Sequence, residues 1–166
     1  MKYYQFQQKV YQNKLNRNFN ISNVGKEIIL ITEEFGELCD AHLTNNKPEI
    51  IDAIGDIMIY CLGLSAIFKW NCDDISNHEI KLSNNPTSLQ DYIPYLGKEI
   101  GMIAKTYKHS NKQEVESIDK LDEFKLYIGN LINYCDNLFN LIKVDGNIVI
   151  ENIISNNKTR THQGQI

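Results

Sequence analysis

Six carboxylates lie at helical spacing in two neighbouring stretches of this 166-residue chain: Glu33, Glu34, Glu37, Glu49, Asp52 and Asp56. Spacings of three and four residues place side chains on the same face of a helix. At about 100° per residue, the three acids of the second stretch fall within a sector of about 60°. If the two stretches form an antiparallel helical hairpin, their acidic faces can meet.

Acidic stripes on helices are usually solvated, and this is the alternative interpretation of both stretches. Asp56 argues against it, because the helix around it is apolar on nearly every side. A buried carboxylate is costly unless it is paired or bound to metal. The nearest cations in sequence, Lys47 and Lys69, are too distant for a local ion pair. Carboxylates held together also repel one another, which a divalent ion relieves, and all-oxygen ligation suits Mg²⁺ or Mn²⁺.

The other metal-ligating residue types do not support a competing site. None of the four histidines stands in an E-x-x-H pattern with an acid, which argues against a ferritin-like di-iron bundle. The four cysteines are widely spaced and contain no C-x-x-C pair, so we expect buried thiols and not zinc ligands or disulfides.

Helices must position the acidic residues, because apolar residues recur at helical spacing almost throughout and no alternating strand pattern competes. The sequence therefore predicts an all-α fold. Ser22 or Asn23 is the expected N-cap of the second helix, and Thr87 with Gln90 the expected capping box of the fourth. The predicted helices cover about residues 3–16, 24–43, 48–70, 87–107, 121–143 and 146–154, with one short helical turn between 71 and 86.

Two pairs of these helices resemble each other. Residues 96–105 align with 31–40, and residues 127–135 align with 53–61, sharing Ile-Gly and Tyr-Cys. Three acids of the first copy are replaced in the second: Glu37 by Met102, Asp52 by Leu126, and Asp56 by Asn130. Chance similarity of amphipathic helices is the alternative. The alignment predicts a bundle of two related hairpins, the second of them degenerate and structural.

Bulk properties limit the class of partner. A chain of this length fits one domain, which we assign to residues 1–155, followed by a polar, basic tail at 156–166. The net charge of −4 argues against a nucleic-acid polymer as partner. The beginning of the chain lacks the apolar stretch of a signal peptide, and no run looks long enough to span a bilayer. We therefore expect a cytoplasmic protein without a membrane partner.

On these residues the chain resembles the MazG-like all-α nucleoside triphosphate pyrophosphohydrolases, with their dimeric dUTPase and dCTP-cleaving relatives. The family pattern is E-E-x-x-E on one helix and E-x-x-D on the next, and residues 33–37 match its first part. Glu49 and Asp52 match the second part literally. The apolar run after Asp56 instead aligns that residue with the final Asp of the family, so that Ala53 replaces the expected Glu and Asp52 could substitute for it.

The resemblance implies a nucleoside triphosphate as substrate and Mg²⁺, or Mn²⁺, as cofactor. A metal-activated water would attack the α phosphorus and release a nucleoside monophosphate and pyrophosphate. The implied metal ligands are Glu34, Glu37, Asp52 and Asp56, and the implied catalytic carboxylates are Glu33, Glu34, Glu37 and Glu49. The resemblance further implies a homo-oligomer, most simply a dimer.

The basic tail also resembles a segment that the family places near the triphosphate. Lys158 and Arg160 would clamp the outgoing phosphates, and a solvated charged terminus is the alternative. The alternative to an enzyme is a non-catalytic helical module that binds a nucleotide or a partner protein.

Overall fold

The structure is a computed structural model that describes residues 3–80, 82, 85–110 and 118–159. The predicted all-α fold is confirmed, since the described residues form helices and no strand. The helices are α1 (Tyr3–Asn16), α2 (Val24–Leu43), α3 (Lys47–Ile67), α4 (Cys72–Ser76), α5 (Leu89–Ser110), α6 (Ile118–Leu141) and α7 (Gly146–Thr159).

Two antiparallel hairpins form the bundle. Helix α2 packs along α3 after a turn of three residues, and α5 packs along α6. The hairpins meet where α3 contacts α6 and where α2 contacts α5. At the second contact the ring of Phe35 lies against Gly97, and Tyr107 lies against Gly25. These two contacts make α2 and α5 antiparallel neighbours.

Glycines at equivalent places in the two hairpins allow a further helix to approach closely. Gly55 of α3 lies beneath Val149 and Ile153 of α7, and a β carbon on Gly55 would overlap both side chains. Gly129 of α6 lies beneath the backbone carbonyl of Ile75 in α4, where a β carbon would also overlap. The glycines of the two Ile-Gly sequences in the predicted repeat therefore have the same role, which is to let another helix pack closely.

The helix starts agree with the predicted caps in one case and differ in the other. The backbone N–H of Lys26 donates to Asn23 Oδ1 at 3.0 Å, so Asn23 is the N-cap of α2 as predicted. The capping box of α5 lies one residue later than the predicted Thr87 and Gln90. There Asp91 Oδ2 accepts from the N–H of Ser88 at 2.9 Å, and Ser88 Oγ accepts from the N–H of Asp91 at 3.3 Å.

Four helices end at a non-glycine residue in the left-handed region: Asn18, Asn45, Lys69 and Lys143, with φ between 54° and 58°. At the end of α3, the N–H of Trp70 donates to the carbonyl of Ser65 at 2.9 Å. The N–H of Lys69 donates to the carbonyl of Ala66 at 3.0 Å. This is the Schellman pattern, and it ends α3 at Ile67 and not at residue 70 as predicted.

Helix α3 is the central helix of the bundle, and it is long as well as apolar. It has 21 residues, and an 18-residue window within it has a mean hydropathy of 1.8, so by length and composition it could cross a membrane. The expectation that no run is long enough was therefore wrong. In the bundle, 61% of that window is buried, and α3 contacts α1, α2, α6 and α7. The same length and composition suit the core helix of a bundle.

Candidate functional site

Helices α2 and α3 hold the six predicted site residues at the solvent edge of the hairpin. Ile31 and Leu38 are buried and fix the inner face of α2. Between them Glu34 is half-buried and turned towards α3, where Asp56 is also half-buried. The predicted partial burial of Asp56 is therefore confirmed. The other four acids are exposed: Glu33, Glu37, Glu49 and Asp52.

Glu34 is the electrostatic centre of the site. Burial raises its pKa from 4.5 to about 8, and four nearby carboxylates contribute to the rise. In decreasing order these are Asp56, Glu37, Glu33 and Asp52. The structure thus brings five of the six predicted acids into one interacting group. The ion pairs Lys9–Glu151, Lys14–Glu27 and Lys98–Glu99 lie elsewhere in the described part of the chain.

A concavity of about 500 Å³ opens beside this group, at the turn between α2 and α3. Glu49 lines it together with Glu33 and Glu37, although Glu49 does not contribute to the raised pKa of Glu34. Its complete lining is Glu33, Gly36, Glu37, Asp40, Ala41, Thr44, Asn46 and Glu49. The concavity is therefore strongly acidic, and an anionic ligand needs accompanying cations to enter it.

The burial of Ala53 helps to choose between the two alignments of the second acidic stretch with the family pattern. Ala53 is only 3% exposed and belongs to the core, so a carboxylate at that position would be buried among apolar side chains. Asp52 is exposed and lies four residues before Asp56, on the same face of α3. Of the two candidates for the family's second-helix Glu, Asp52 is the one that influences Glu34.

The carboxylates of the acidic group are of the type that binds a hard divalent cation, but their side chains are too far apart to coordinate one ion together. In the described part of the chain, no group of three or more His, Cys, Asp or Glu side chains could hold a metal ion as it stands. The available donors are all carboxylate oxygens, which Mg²⁺ and Mn²⁺ prefer. Burial is the largest cause of the raised pKa of Glu34, and its four acidic neighbours add repulsion that a divalent ion would relieve.

A buried ion pair next to the site was missed in the sequence. Lys14 Nζ donates to both carboxylate oxygens of Glu27 at 2.8 Å, and Asn20 Nδ2 donates to Glu27 Oε1 at 2.8 Å. Lys14 is 5% exposed and Glu27 is fully buried. The ring of Tyr60 lies under Lys14 Nζ, with 5.5 Å to its centroid. The one available signal was that Glu27 precedes Glu34 by seven residues and so continues its face of α2.

Tyr60 connects this ion pair with the acidic group. Burial raises the pKa of its hydroxyl, and Asp56, Glu34 and Glu27 raise it further in that order. Tyr60 follows Asp56 by one helical turn on α3. The acidic group therefore lies next to the buried Lys14–Glu27 ion pair, which links α1 to the α2–α3 hairpin.

The second hairpin contains a comparable pair without the surrounding acids. Glu99, which aligns with Glu34, is 1% exposed, and no described residue forms a hydrogen bond with its Oε2. Tyr134 aligns with Tyr60, and burial followed by the charge of Glu99 raises its pKa to about 12. Asn130, in the place of Asp56, binds His78 Nε2 at 2.7 Å. Glu99 is not among the groups that raise the pKa of Glu34.

The predicted phosphate-binding tail begins inside a helix. Helix α7 was predicted to end at Ile154 but continues to Thr159, so it includes Lys158. The carbonyl of Lys158 accepts a hydrogen bond from Arg17 Nη1 at 3.0 Å, and its side chain is exposed. Arg160 lies outside the described residues.

The raised pKa of Glu34 predicts how the metal-free protein responds to pH. Because the folded pKa is about 8 and the ordinary value is 4.5, the fold favours protonated Glu34. This contribution is complete below pH 4.5 and is lost as the pH rises towards 8. In EDTA, we expect Tm to fall between pH 5.5 and 8.5, and to fall less in Glu34→Gln. Melting curves with the same pH dependence in both proteins would contradict this.

Comparisons with known proteins add little to this geometry. An uncharacterised protein of Acanthamoeba polyphaga mimivirus is 42% identical over 64 residues, which cover 39% of this chain. The matched stretch covers 25% of that protein, so the likeness extends over about a quarter of its length. No protein-family model and no solved structure matches the chain.

Proposed function

We propose that this protein is a Mg²⁺-dependent nucleoside triphosphate pyrophosphohydrolase of the MazG-like kind, which converts a nucleoside triphosphate and water into a nucleoside monophosphate and pyrophosphate. The observation that carries the proposal is the placement of Glu34, half-buried among four other carboxylates on two packed helices, and the direction of its pKa shift agrees with this placement. Such a group is costly to maintain in a fold unless it binds something positive. The two-hairpin, all-α architecture and the residues that resemble the family agree with it.

The proposed ligands of the metal are Glu34, Glu37, Asp52 and Asp56. When bound, Mg²⁺ or Mn²⁺ would neutralise charge on the triphosphate and lower the pKa of water. Asp52 is preferred to Glu49 for the position that the family fills with Glu, because Asp52 influences Glu34 and Ala53 is in the core. Glu34 would then be a carboxylate held in its charged form by the cation.

The remaining residues are assigned to proton transfer and to the leaving group. The oxygen of the attacking water bonds to the α phosphorus while the bond from that phosphorus to the oxygen bridging to the β phosphorus breaks. Glu33 or Glu49, both exposed on the wall of the concavity, would accept the proton that the water loses. Lys158, on the last turn of α7, and Arg160 are the proposed cations for the outgoing pyrophosphate.

The bond that is cut provides the test. With Mg²⁺ and a panel of ribo- and deoxyribonucleoside triphosphates, we expect monophosphate and pyrophosphate as products, and no turnover in EDTA. In ¹⁸O-labelled water, attack on the α phosphorus places the label in the monophosphate. Diphosphate with orthophosphate, or label in the pyrophosphate, would rule out the proposed reaction.

A second candidate is a non-catalytic helical module that binds a nucleotide or a partner protein. It is favoured by one observation, that the described residues form no group ready to hold a metal ion. This candidate predicts that Mg²⁺ and nucleotide raise Tm together without product formation. The same panel therefore separates the two candidates, since only an enzyme releases pyrophosphate.

A further inference from the structure

Gly36 lies in the interior of α2 without a packing reason. Glycine is the least favourable residue in a helix interior apart from proline, because it loses the most backbone freedom. Five other glycines in the helices leave room for a neighbour: Gly25, Gly55, Gly63, Gly97 and Gly129. At Gly36 a β carbon would meet no atom within 4 Å. No neighbouring group in the described structure therefore requires glycine there.

The position of Gly36 connects it with the acidic concavity. Gly36 is exposed, and it lines the concavity together with Glu33 and Glu37. Three residues on a helix are about 60° apart, so Gly36 forms a bare strip of backbone beside Glu33. A side chain at this position would extend over this wall of the concavity.

We propose that Gly36 keeps the wall of the concavity bare, so that the metal-bound phosphate chain of the substrate can lie against α2. This inference rests on the proposed function. A second copy of the chain is a poorer occupant, because an acidic protein would meet the acidic wall formed by Glu33, Glu37, Asp40 and Glu49. A triphosphate with divalent cations brings the charge that this wall lacks.

Gly101 provides a matched control. It aligns with Gly36 in the second hairpin, lies in the interior of α5 and is exposed. A β carbon on Gly101 would also meet no atom within 4 Å, but Gly101 does not line the acidic concavity. Leucine at either position should therefore have the same effect on helix stability, and only leucine at position 36 should obstruct the substrate.

The experiment compares Gly36→Leu with Gly101→Leu. Both variants should raise Tm by about 2 to 4 °C, since leucine favours a helix more than glycine does. Gly36→Leu should lower kcat/KM by about tenfold or more, because small displacements of a reacting group are costly. Gly101→Leu should stay within about twofold of the unaltered protein, as surface changes do. Mn²⁺ affinity without nucleotide should remain within about twofold in both.

The outcomes separate this inference from the proposed function. If the unaltered protein hydrolyses a nucleotide and Gly36→Leu is as active as Gly101→Leu, the inference is wrong and the proposed function stands. If the unaltered protein hydrolyses none, both are wrong. Should Gly36→Leu fail to fold, Gly36→Ala and Gly101→Ala replace the pair, and equal activity of the alanine variants would overturn the inference.

Discussion

Replacing Glu34 by glutamine is expected to lower kcat/KM for nucleoside triphosphates by about three orders of magnitude or more while the protein stays folded. Charge stabilisation by a bound metal is worth several kcal/mol, and each 1.36 kcal/mol corresponds to about tenfold in rate. Glu34 is the carboxylate that all four of its neighbours influence, so its loss removes the centre of the proposed ligand set. Steady-state kinetics and far-ultraviolet circular dichroism measure the two expectations.

Glu99→Gln is the matched control for this prediction. Glu99 aligns with Glu34 but lies beside Tyr134, with Leu126 and Asn130 in the places of the acids on α3. Its substitution should leave kcat/KM within about twofold, the size of an ordinary change away from the site. Equal loss of activity in both variants would place Glu99 in the site and would contradict the assignment of the second hairpin to structure.

The helix boundaries show where sequence patterns are sufficient. Helices α1 and α2 end at the predicted residues, and each is followed by an asparagine in the left-handed region, Asn18 or Asn45, which is a recognisable end signal. The predicted ends of α3 and α6 lie three and two residues too late. Their left-handed residues are Lys69 and Lys143, and lysine carries no such signal in a sequence. Only the hydrogen bonds of the last turn fix those two ends.

In the site, too, features within one helix could be predicted from the sequence, whereas contacts between distant helices could not. The acidic faces of α2 and α3 could be predicted, because helical spacing determines which side chains share a face. The pairing of Lys14 with Glu27 could not, since it joins two helices whose relative orientation is set by packing. Along the sequence, the cations nearest to Asp56 are Lys47 and Lys69, which are too distant for a local ion pair. The buried cation close to this region comes from α1 instead.

Replacing Asp56 by asparagine should abolish most turnover and leave the fold intact. Asp56 contributes most among the neighbouring charges to the raised pKa of Glu34, and it is one of the proposed metal ligands. The loss of one charged ligand should cost about two orders of magnitude or more in kcat/KM. In EDTA the same change should raise Tm, because it removes the largest electrostatic repulsion acting on Glu34.

The control for this substitution is Asp74→Asn, which neutralises an exposed acid on the short helix α4. It should change neither Tm nor kcat/KM beyond the range of ordinary surface substitutions, about 0.5 kcal/mol. A folded and fully active Asp56→Asn would remove Asp56 from the ligand set. Loss of folding would indicate that Asp56 belongs to a buried charge pair. Removing one member of such a pair leaves the other charge buried without compensation, which destabilises the protein. Asp56 would then be a structural residue, and the case for a metal site would have to rest on Glu34, Glu37 and Asp52.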